Sequence, residues 1–405
     1  MTSPGAPVSV TGVGVLTPIG DAPDAIFAAL CEGRRAIASS SEHGGVGLAS
    51  IADFEATKYT NVRGLRMYNR TTRLAICATR LALTDAKIDT ATFPGDDLGV
   101  LMASTYGHLD VLLEYDRSLV ANGVQRTNGA LMPFAIPSAP GAMVALAFGA
   151  KAFSMTLSDG GSSSLDAIAL GARWITEGRA RACVVVSAFS ASADVVRAIS
   201  RAGLLASTGE VRPFDRRGTG AGLGEAAVAF VLERAEDAMA RGAIARGTLR
   251  GYAATFATKA ENQASALQRA SVAALRSADV AADGVALVSA SASGAHEVDR
   301  AEAEALVAAL GAHASRVPVA AVKGALGETF DTAGALQALV ALSAFETKKA
   351  PPIAGLEEPE VSGLRYATNE ASVESGAALV TSIARNGSCS ALVLSPAAAP
   401  GGDPS

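Results

Sequence analysis

The chain has 405 residues, of which 49% are hydrophobic and 18% charged, so it can bury a large core and is too apolar to be disordered. A net charge of -5 without long runs of like charge argues against nucleic acid or an anionic membrane as partner and favours apolar ligands. The first residues lack the basic and apolar regions of a signal peptide. No apolar stretch approaches the roughly 20 residues of a membrane-spanning helix. We therefore expect neither export nor membrane insertion.

The four cysteines are widely spaced along the chain, and Cys77 and Cys183 lie in apolar runs. This pattern predicts free, buried thiols rather than disulfides or a metal site. Free thiols fit a reducing compartment, so we expect a cytoplasmic protein without a bound metal.

Strands and helices alternate in the first half of the chain, which predicts an α/β layer fold. The pattern predicts strands at residues 8–16, 97–103, 182–188 and 225–233, and helices at residues 24–31, 67–86, 109–120 and 138–149. The run at 182–188, ACVVVSA, is typical of a strand inside a parallel or mixed sheet.

The second half repeats the first in outline. Its predicted helices are residues 262–277, 298–310 and 328–345, and its predicted strands are residues 285–290, 319–322, 377–383 and 390–395, with a turn at 323–327. Residues 97–108 and 283–296 share a strand pattern, an exit through small hydroxyl residues and a helix beyond, which favours a duplication. We expect an N-terminal half at 1–245, a C-terminal half at 246–397 and a disordered tail at 398–405.

Residues 152–168, AFSMTLSDGGSSSLDAI, predict a buried strand, a glycine turn and the start of a helix. Phe153, Met155 and Leu157 alternate with smaller or polar residues, as in a strand with one face in the core. Ser163 precedes Asp166 by three residues, the spacing of a capping box at a helix start. A turn between a strand and a helix often carries catalytic groups, so this stretch is the first candidate site.

Three segments, in the right order, resemble the β-ketoacyl synthases of the thiolase fold. VTGVGVLTPIG at 10–20 resembles the family's opening strand, RPFDRRGTGAGLGEA at 212–226 its FD…GEG segment, and VKGALGETFDTAGA at 322–335 its KxxxGHxxxAAG helix. The resemblance covers nearly the whole chain. It implies an α/β, thiolase-like fold in which two duplicated α/β halves form a layered αβαβα arrangement.

The family's chemistry requires a cysteine nucleophile and two histidines that stabilise the enolate. The matching positions are Gly161, Ser291 and Glu328, while Lys323 and Glu302 keep the family pattern. Glycine cannot be acylated, and an ionised glutamate repels a developing enolate. We therefore expect no catalytic residue here. Lys323 and Glu302 are expected to form a buried structural ion pair. Glu328 is expected either to serve as a first-turn carboxylate of the following helix or to form hydrogen bonds with groups that the family's histidine faces.

Two further positions depart from the family pattern: Arg385 stands in the gating loop, and Gly218 replaces the arginine of the FDxxRDGF loop. A chain that keeps the scaffold residues of the family pattern but lacks its catalytic residues resembles a chain-length factor. A chain-length factor is the noncatalytic subunit that pairs with an active ketosynthase in type II polyketide biosynthesis of polyenes or aromatics. The resemblance implies a heterodimer and an acyl carrier protein as partners. It implies no cofactor, because acyl groups arrive on the carrier protein's phosphopantetheine at the partner subunit.

The family's counterpart of residues 130–137 reaches across the dimer interface toward the neighbouring subunit's acyl tunnel. Met132, Phe134 and Ile136 are therefore candidates for setting tunnel depth, with plain core packing as the alternative. The resemblance also implies that the strand at 153–159 pairs antiparallel with its counterpart in a partner, as in the thiolase-type dimer, so Phe153, Met155 and Leu157 are candidate interface residues.

A divergent acyltransferase with a different nucleophile remains the alternative function. Ser162 and its neighbours are candidates for that nucleophile, although serines at a helix start are also explained by capping. His296 lies five residues after Ser291, at the start of a helix where surface histidines are common.

Overall fold

The computed structural model describes residues 7–41, 44–206 and 209–397, and the tail predicted at 398–405 lies outside this range. The strands are β1 (Val8–Leu16), β2 (Ala38–Ser40), β3 (Val46–Ala49), β4 (Leu98–Ala103), β5 (Phe153–Leu157), β6 (Ala182–Phe189), β7 (Leu223–Gly224), β8 (Ala226–Arg234), β9 (Gly247–Phe256), β10 (Val285–Ala290), β11 (Pro318–Ala321), β12 (Lys349–Ala350), β13 (Arg365–Tyr366), β14 (Ala371–Ser372), β15 (Ala377–Ile383) and β16 (Ser388–Ser395).

The helices are α1 (Pro23–Cys31), α2 (Arg70–Asp85), α3 (Leu109–Asn122), α4 (Ala139–Phe148), α5 (Ser163–Thr176), α6 (Ala193–Arg201), α7 (Ala235–Ala240), α8 (Gln263–Ser277), α9 (His296–Leu310), α10 (Lys323–Leu326) and α11 (Ala333–Thr347). None of the helices in the described ranges is long and apolar enough to cross a membrane.

The main sheet consists of two half-sheets with the same internal topology. The first has the order β1-β8-β6-β4-β5 and the second the order β9-β16-β15-β10-β11, with β13 added at its edge. In both, the first two pairings are antiparallel and the next two parallel. A short antiparallel contact between β1 and β9 joins them. The duplication predicted from the sequence is therefore present, and β4 and β10 occupy equivalent positions.

Helices cover both half-sheets and also fill the space between them. Helix α2 packs on β1, β6 and β8, and α8 packs on β9, β15 and β16. Helices α5 and α11 contact each other and strands of both half-sheets, so they form the central layer. The result is the αβαβα arrangement that the resemblance implied. Helix α11 is apolar all round because protein surrounds it, and every residue from Ala333 to Phe345 is buried.

Close packing against α2 explains why the VTGVGV segment of β1 has glycine at two positions. A Cβ atom at Gly12 or Gly14 would collide with backbone carbonyl oxygens of α2, those of Ala82 and Ala78 respectively. The glycines therefore let this helix lie against the strand at a distance that any side chain would prevent.

Several elements differ from the sequence predictions, among them the following four. Strand β5 was predicted to be buried, but it is the edge strand of its half-sheet and Met155 is 44% exposed. Residues 323–327 form the one-turn helix α10, closed by Gly327 at φ 81°, instead of a simple turn. The following helix starts at Ala333 and not at Glu328, because Phe330 has a positive φ of 46° that interrupts helical geometry. Strand β9 was missed.

The helix start after β5 also differs from the prediction. Ser162 is the N-cap residue of α5, and its side chain caps no backbone N–H. The Ser163 hydroxyl accepts a hydrogen bond from Asp159 N (2.7 Å) and donates one to Asp331 Oδ1 (2.7 Å). The predicted capping box between Ser163 and Asp166 is therefore wrong, since Ser163 serves a tertiary contact.

Candidate functional site

A cavity of about 180 Å³ lies at the N-terminal end of α5, and we call it the α5 cavity. Five residues singled out in the sequence line it, although they come from four separate segments of the chain: Gly161, Ser291, Lys323, Glu328 and Arg385. The fold therefore brings together the three positions matched to the family's catalytic residues, with Lys323 and Arg385, whereas Glu302 and Gly218 do not line the cavity.

Lys323 is at the centre of the polar part of the cavity. Its Nζ atom donates hydrogen bonds to Ser291 Oγ (3.0 Å) and to Glu328 Oε2 (2.8 Å). The side chains of Lys323 and Glu328 are only 5% and 15% exposed. The second oxygen of Glu328 accepts the backbone N–H of Phe330 at 2.8 Å. Glu328 is therefore the lysine's ion-pair partner and not a first-turn carboxylate of α11.

Glu302 lies fully buried next to this cluster, but it has other partners. Its Oε1 atom accepts hydrogen bonds from Ser291 N (2.8 Å) and Thr381 Oγ1 (2.7 Å). The predicted ion pair between Lys323 and Glu302 is wrong, because the lysine amine reaches Glu328 instead. Burial raises the pKa of Glu302 to about 7.

Gly161 occupies the turn before α5, and the sequence resemblance matches it to the family's nucleophile. A Cβ atom there would lie 3.6 Å from Ala384 Cβ and 3.7 Å from Ser382 Oγ, which are ordinary van der Waals distances. By contrast, the preceding Gly160 has φ 70°, a conformation that favours glycine. The backbone therefore accepts a side chain at 161, and the loss of the nucleophile is not forced by geometry.

The three serines that follow Gly161 are fully buried and do not line the α5 cavity. Ser162 Oγ lies 3.4 Å from Ser382 Oγ, and Ser164 Oγ accepts the N–H of Ala335 at 3.0 Å. Ser163 is held by Asp331 as described above. These hydroxyls connect α5 to α11 and β15, and none of them is placed to attack a ligand in the cavity.

Asp331 was not identified from the sequence, yet its carboxylate connects the chain segments next to the cavity. It accepts hydrogen bonds from Thr105 N (2.8 Å), Thr105 Oγ1 (2.7 Å) and Ser163 Oγ (2.7 Å). Burial raises the pKa of Asp331, while the three donors act in the opposite direction. A lone aspartate just before a helix is common in sequences, so no local signal distinguished it.

Arg385 lies in the loop between β15 and β16 at the mouth of the cavity, and it is exposed. Two contacts fix the loop around it: Gln263 Nε2 donates to Ala384 O (2.9 Å), and Asn386 Nδ2 donates to Asp159 O (3.3 Å). The loop thus bridges the two halves of the chain across the cavity. Arg385 itself points toward solvent-accessible surface where the family's pattern has an apolar gate.

The candidate tunnel residues lie on the surface, away from the α5 cavity. Met132 and Ile136 are 50% and 42% exposed, and Phe134 is half-buried with its ring 5.9 Å from that of Tyr68. Met132 and Ile136 are therefore not core residues of the single chain, whereas Phe134 packs partly against its own subunit through Tyr68. Across residues 109–138 only Ala135 is buried, so this segment forms a surface on which apolar and charged side chains are both accessible.

The candidate interface strand β5 is paired on one side only, with β4. Phe153 packs edge-on against Trp174, with the ring centroids 4.6 Å apart, while Met155 is 44% exposed. Leu157 is half-buried. The strand therefore presents unpaired backbone groups and an apolar side chain at its free edge.

Family models identify this architecture. Residues 5–238 match the β-ketoacyl synthase N-terminal domain and residues 246–357 the C-terminal domain. The chain belongs to the β-ketoacyl synthase family. A putative polyketide β-ketoacyl synthase 1 of Streptomyces cyaneus is 31% identical over 375 residues, which cover 87% of this chain and 89% of that protein.

Solved β-ketoacyl synthase structures share the fold. The ishigamide ketosynthase/chain length factor superposes with a TM-score of 0.89 at 23% identity, over 98% of this chain and 100% of that one. A type II polyketide ketosynthase, AntDE, solved in complex with its acyl carrier protein AntF, gives a TM-score of 0.86 at 20% identity over 97% and 100%. At these identities the superpositions show the thiolase-like fold.

The described part of this β-ketoacyl synthase family member holds no histidine in the α5 cavity. His296 pairs with Glu360 (2.8 Å) outside the cavity, and His108 and His313 also lie elsewhere. Within the same described ranges, no cluster of side chains is suited to a metal ion. The cavity can therefore hold an apolar group beside a polar cluster, but it offers neither the thiol nor the imidazoles of the family's chemistry.

Replacing Gly161 with Cys tests this geometry. The new thiol is expected to fit without strain and, at the N-terminus of α5, to be reactive toward iodoacetamide. The four native thiols are at least half-covered, and burial raises the pKa of Cys31 to about 11 and of Cys77 to about 12. Intact-mass spectrometry should therefore show a single rapid adduct on G161C and none on the wild type or on G161A. An unreactive thiol in folded G161C would show that position 161 does not face the cavity.

Proposed function

We propose that this chain is a noncatalytic, ketosynthase-like subunit, a chain-length factor. It pairs with an active ketosynthase and shapes the acyl tunnel of that partner in type II polyketide biosynthesis. The observation that carries the proposal is the α5 cavity, which keeps the family's scaffold but has Gly161, Ser291 and Glu328 where the chemistry needs a cysteine and two histidines.

The alternative, an acyltransferase with a different nucleophile, gains no support from the contacts in the cavity. Ser291 is the hydroxyl closest to the cluster, and it needs a base to become a nucleophile. Its amine neighbour, Lys323, instead donates a hydrogen bond to it and an ion-pair hydrogen bond to Glu328. An ammonium in this arrangement has no lone pair that accepts the serine proton.

The partner surface is formed by β5 and residues 109–138. The free edge of β5 can be extended by an antiparallel strand of a second subunit. The adjoining segment exposes Met132 and Ile136, and Leu146 of α4 is 72% exposed. A subunit of the same fold would cover these side chains, and the partner we propose is an active ketosynthase.

The acyl carrier protein is the second proposed partner, by analogy with the complex of AntDE and AntF. In this scheme the carrier delivers acyl groups on its phosphopantetheine to the active subunit, and the present chain binds no cofactor. The four free cysteines fit a cytoplasmic location. Whether the product is a polyene or an aromatic depends on the partner and the pathway.

The isolated chain is expected to remain unacylated when it is mixed with acyl-loaded carrier protein, because position 161 has no side chain. Intact-mass spectrometry provides the measurement. The variant G161C is the control for access, because it places a thiol at the same point. A stoichiometric acyl adduct on any serine of the wild-type chain would disprove the noncatalytic assignment.

Co-expression with an active ketosynthase should give a soluble 1:1 heterodimer. An interface built on β5 and residues 109–138 should bury more than the roughly 2,000 Å² at which obligate interfaces begin. Met155→Arg places a charge at the edge of β5 and should prevent the complex from forming, whereas Met239→Arg on the exposed α7 should not. Size-exclusion chromatography with light scattering distinguishes the outcomes. A monodisperse monomer at micromolar concentration in the presence of the partner would contradict the proposal.

Phe134 is the residue expected to limit tunnel depth, since Pro133 and Pro137 fix the backbone on either side of it. Phe134→Ala should lengthen the product while the melting temperature of the complex changes little. Deleting a fully buried phenylalanine costs about 3–5 kcal/mol, and Phe134 is only half-buried in this chain.

Mass spectrometry of the polyketide products and thermal unfolding of the complex together test this prediction. Met239→Ala removes an equally apolar, 71% exposed side chain far from the segment and serves as the control. A destabilised F134A complex that makes products of unchanged length would refute the tunnel role.

A further inference from the structure

The ion pair between Lys323 and Glu328 determines the charge of the α5 cavity. Both side chains are nearly inaccessible to solvent, and the two charges are 2.8 Å apart. The lysine amine also donates to Ser291, so two of its three hydrogens are already used. The cavity thus contains a cation that is neutralised from within by a residue of the chain itself.

The geometry points to a cavity that selects neutral ligands and rejects carboxylates, with Glu328 as the residue that determines this selectivity. Because Glu328 neutralises Lys323, the floor of the cavity has no net positive charge to offset the cost of moving an anion out of water. The carboxylate of Glu328 also occupies the place at Lys323 where a ligand carboxylate would bind. An anion could therefore enter only by displacing Glu328 and leaving that group unpaired.

The remaining groups suit an uncharged aliphatic compound with a carbonyl group. Apolar side chains form most of the wall, among them Ile199, Leu205, Val298 and Phe330. Ser291 Oγ accepts its hydrogen bond from Lys323, so its own proton is available to a carbonyl oxygen of the ligand. A cavity of about 180 Å³ is comparable to the roughly 150 Å³ that accommodates benzene, so a six-carbon chain is a suitable probe.

Arg385 does not reverse this preference. It lies at the mouth and is exposed, so water and salt screen its charge. The buried pair acts at the floor of the cavity, where the head group of a ligand would lie. The charge at the floor therefore decides which ligands remain bound.

Hexanamide and hexanoate form a matched pair of probes, since they have nearly the same shape and differ in charge at neutral pH. Titration calorimetry with the full-length chain should show hexanamide binding at least tenfold more tightly than hexanoate. In E328Q the glutamine keeps a hydrogen bond to Lys323 but carries no charge, so hexanoate affinity should rise at least tenfold while hexanamide affinity stays within about threefold. Removing the lysine as well, in K323M/E328Q, should abolish this gain. E304Q, which alters an exposed glutamate of α9, is the control.

The ratio of hexanamide affinity to hexanoate affinity in the wild-type chain tests the inference by itself, even if the variants fold poorly. Equal or tighter binding of hexanoate to the wild type would overturn it, and so would the absence of hexanamide binding at millimolar concentration. A folded E328Q with an unchanged ratio would exclude Glu328 as the selecting residue. The test requires no acylation. If the chain is measured as a heterodimer, ligand bound by the partner subunit contributes equally to the wild-type and E328Q affinities, so the difference between them reports on this chain alone. Its failure would therefore leave the proposed chain-length role intact.

Discussion

The geometry of the site depends on the hydrogen bonds that the carboxylate of Asp331 accepts. It joins the loop after β4, through Thr105, to the start of α5, through Ser163, and it is itself placed at the start of α11. These three segments belong to different parts of the chain, and two of them carry the central helices. Because the group is buried and fully hydrogen-bonded, removing it would leave donors unpaired in the interior. This junction therefore fixes the relative positions of three segments that adjoin the α5 cavity.

The central helices show how the two halves of the chain act as one body. Tyr252 of β9 and Ser390 of β16 both donate hydrogen bonds to Asp166 of α5, at 2.7 and 2.6 Å. A helix of the first half is thereby attached to strands of the second. The same interior location explains why α11 has no polar face and why its glutamine, Gln337, donates to the backbone carbonyls of Ser289 and Thr381 instead of to solvent. In this layer Asp166 is thus hydrogen-bonded across the duplication, whereas the amide nitrogen of Gln337 is hydrogen-bonded within the second half.

Much of the fold was predictable from the sequence because strands buried on both faces, such as β6 and β8, are continuous apolar runs. Strand β9 was missed because it is only partly buried and its GTLRGYAATF sequence mixes glycine, charge and hydroxyl groups. The start of α11 was placed five residues too early, since the interruption at Phe330 comes from a tertiary arrangement in which its ring packs on Tyr106 and Phe189. Local patterns carry no record of such contacts.

The cluster of Ser291, Lys323 and Glu328 shows that the sequence pattern also does not indicate which polar side chains pair with each other in the fold. The sequence identified Lys323 and Glu302 as retained residues, but only coordinates reveal that Glu302 is already engaged by Ser291 and Thr381. A buried lysine without a countercharge is destabilising by several kcal/mol, so a chain that keeps Lys323 needs a carboxylate within reach. Glu328 meets this need at the position where the family pattern has a histidine. Retaining Lys323 and placing a carboxylate at position 328 are thus connected, because Glu328 neutralises the lysine in the interior.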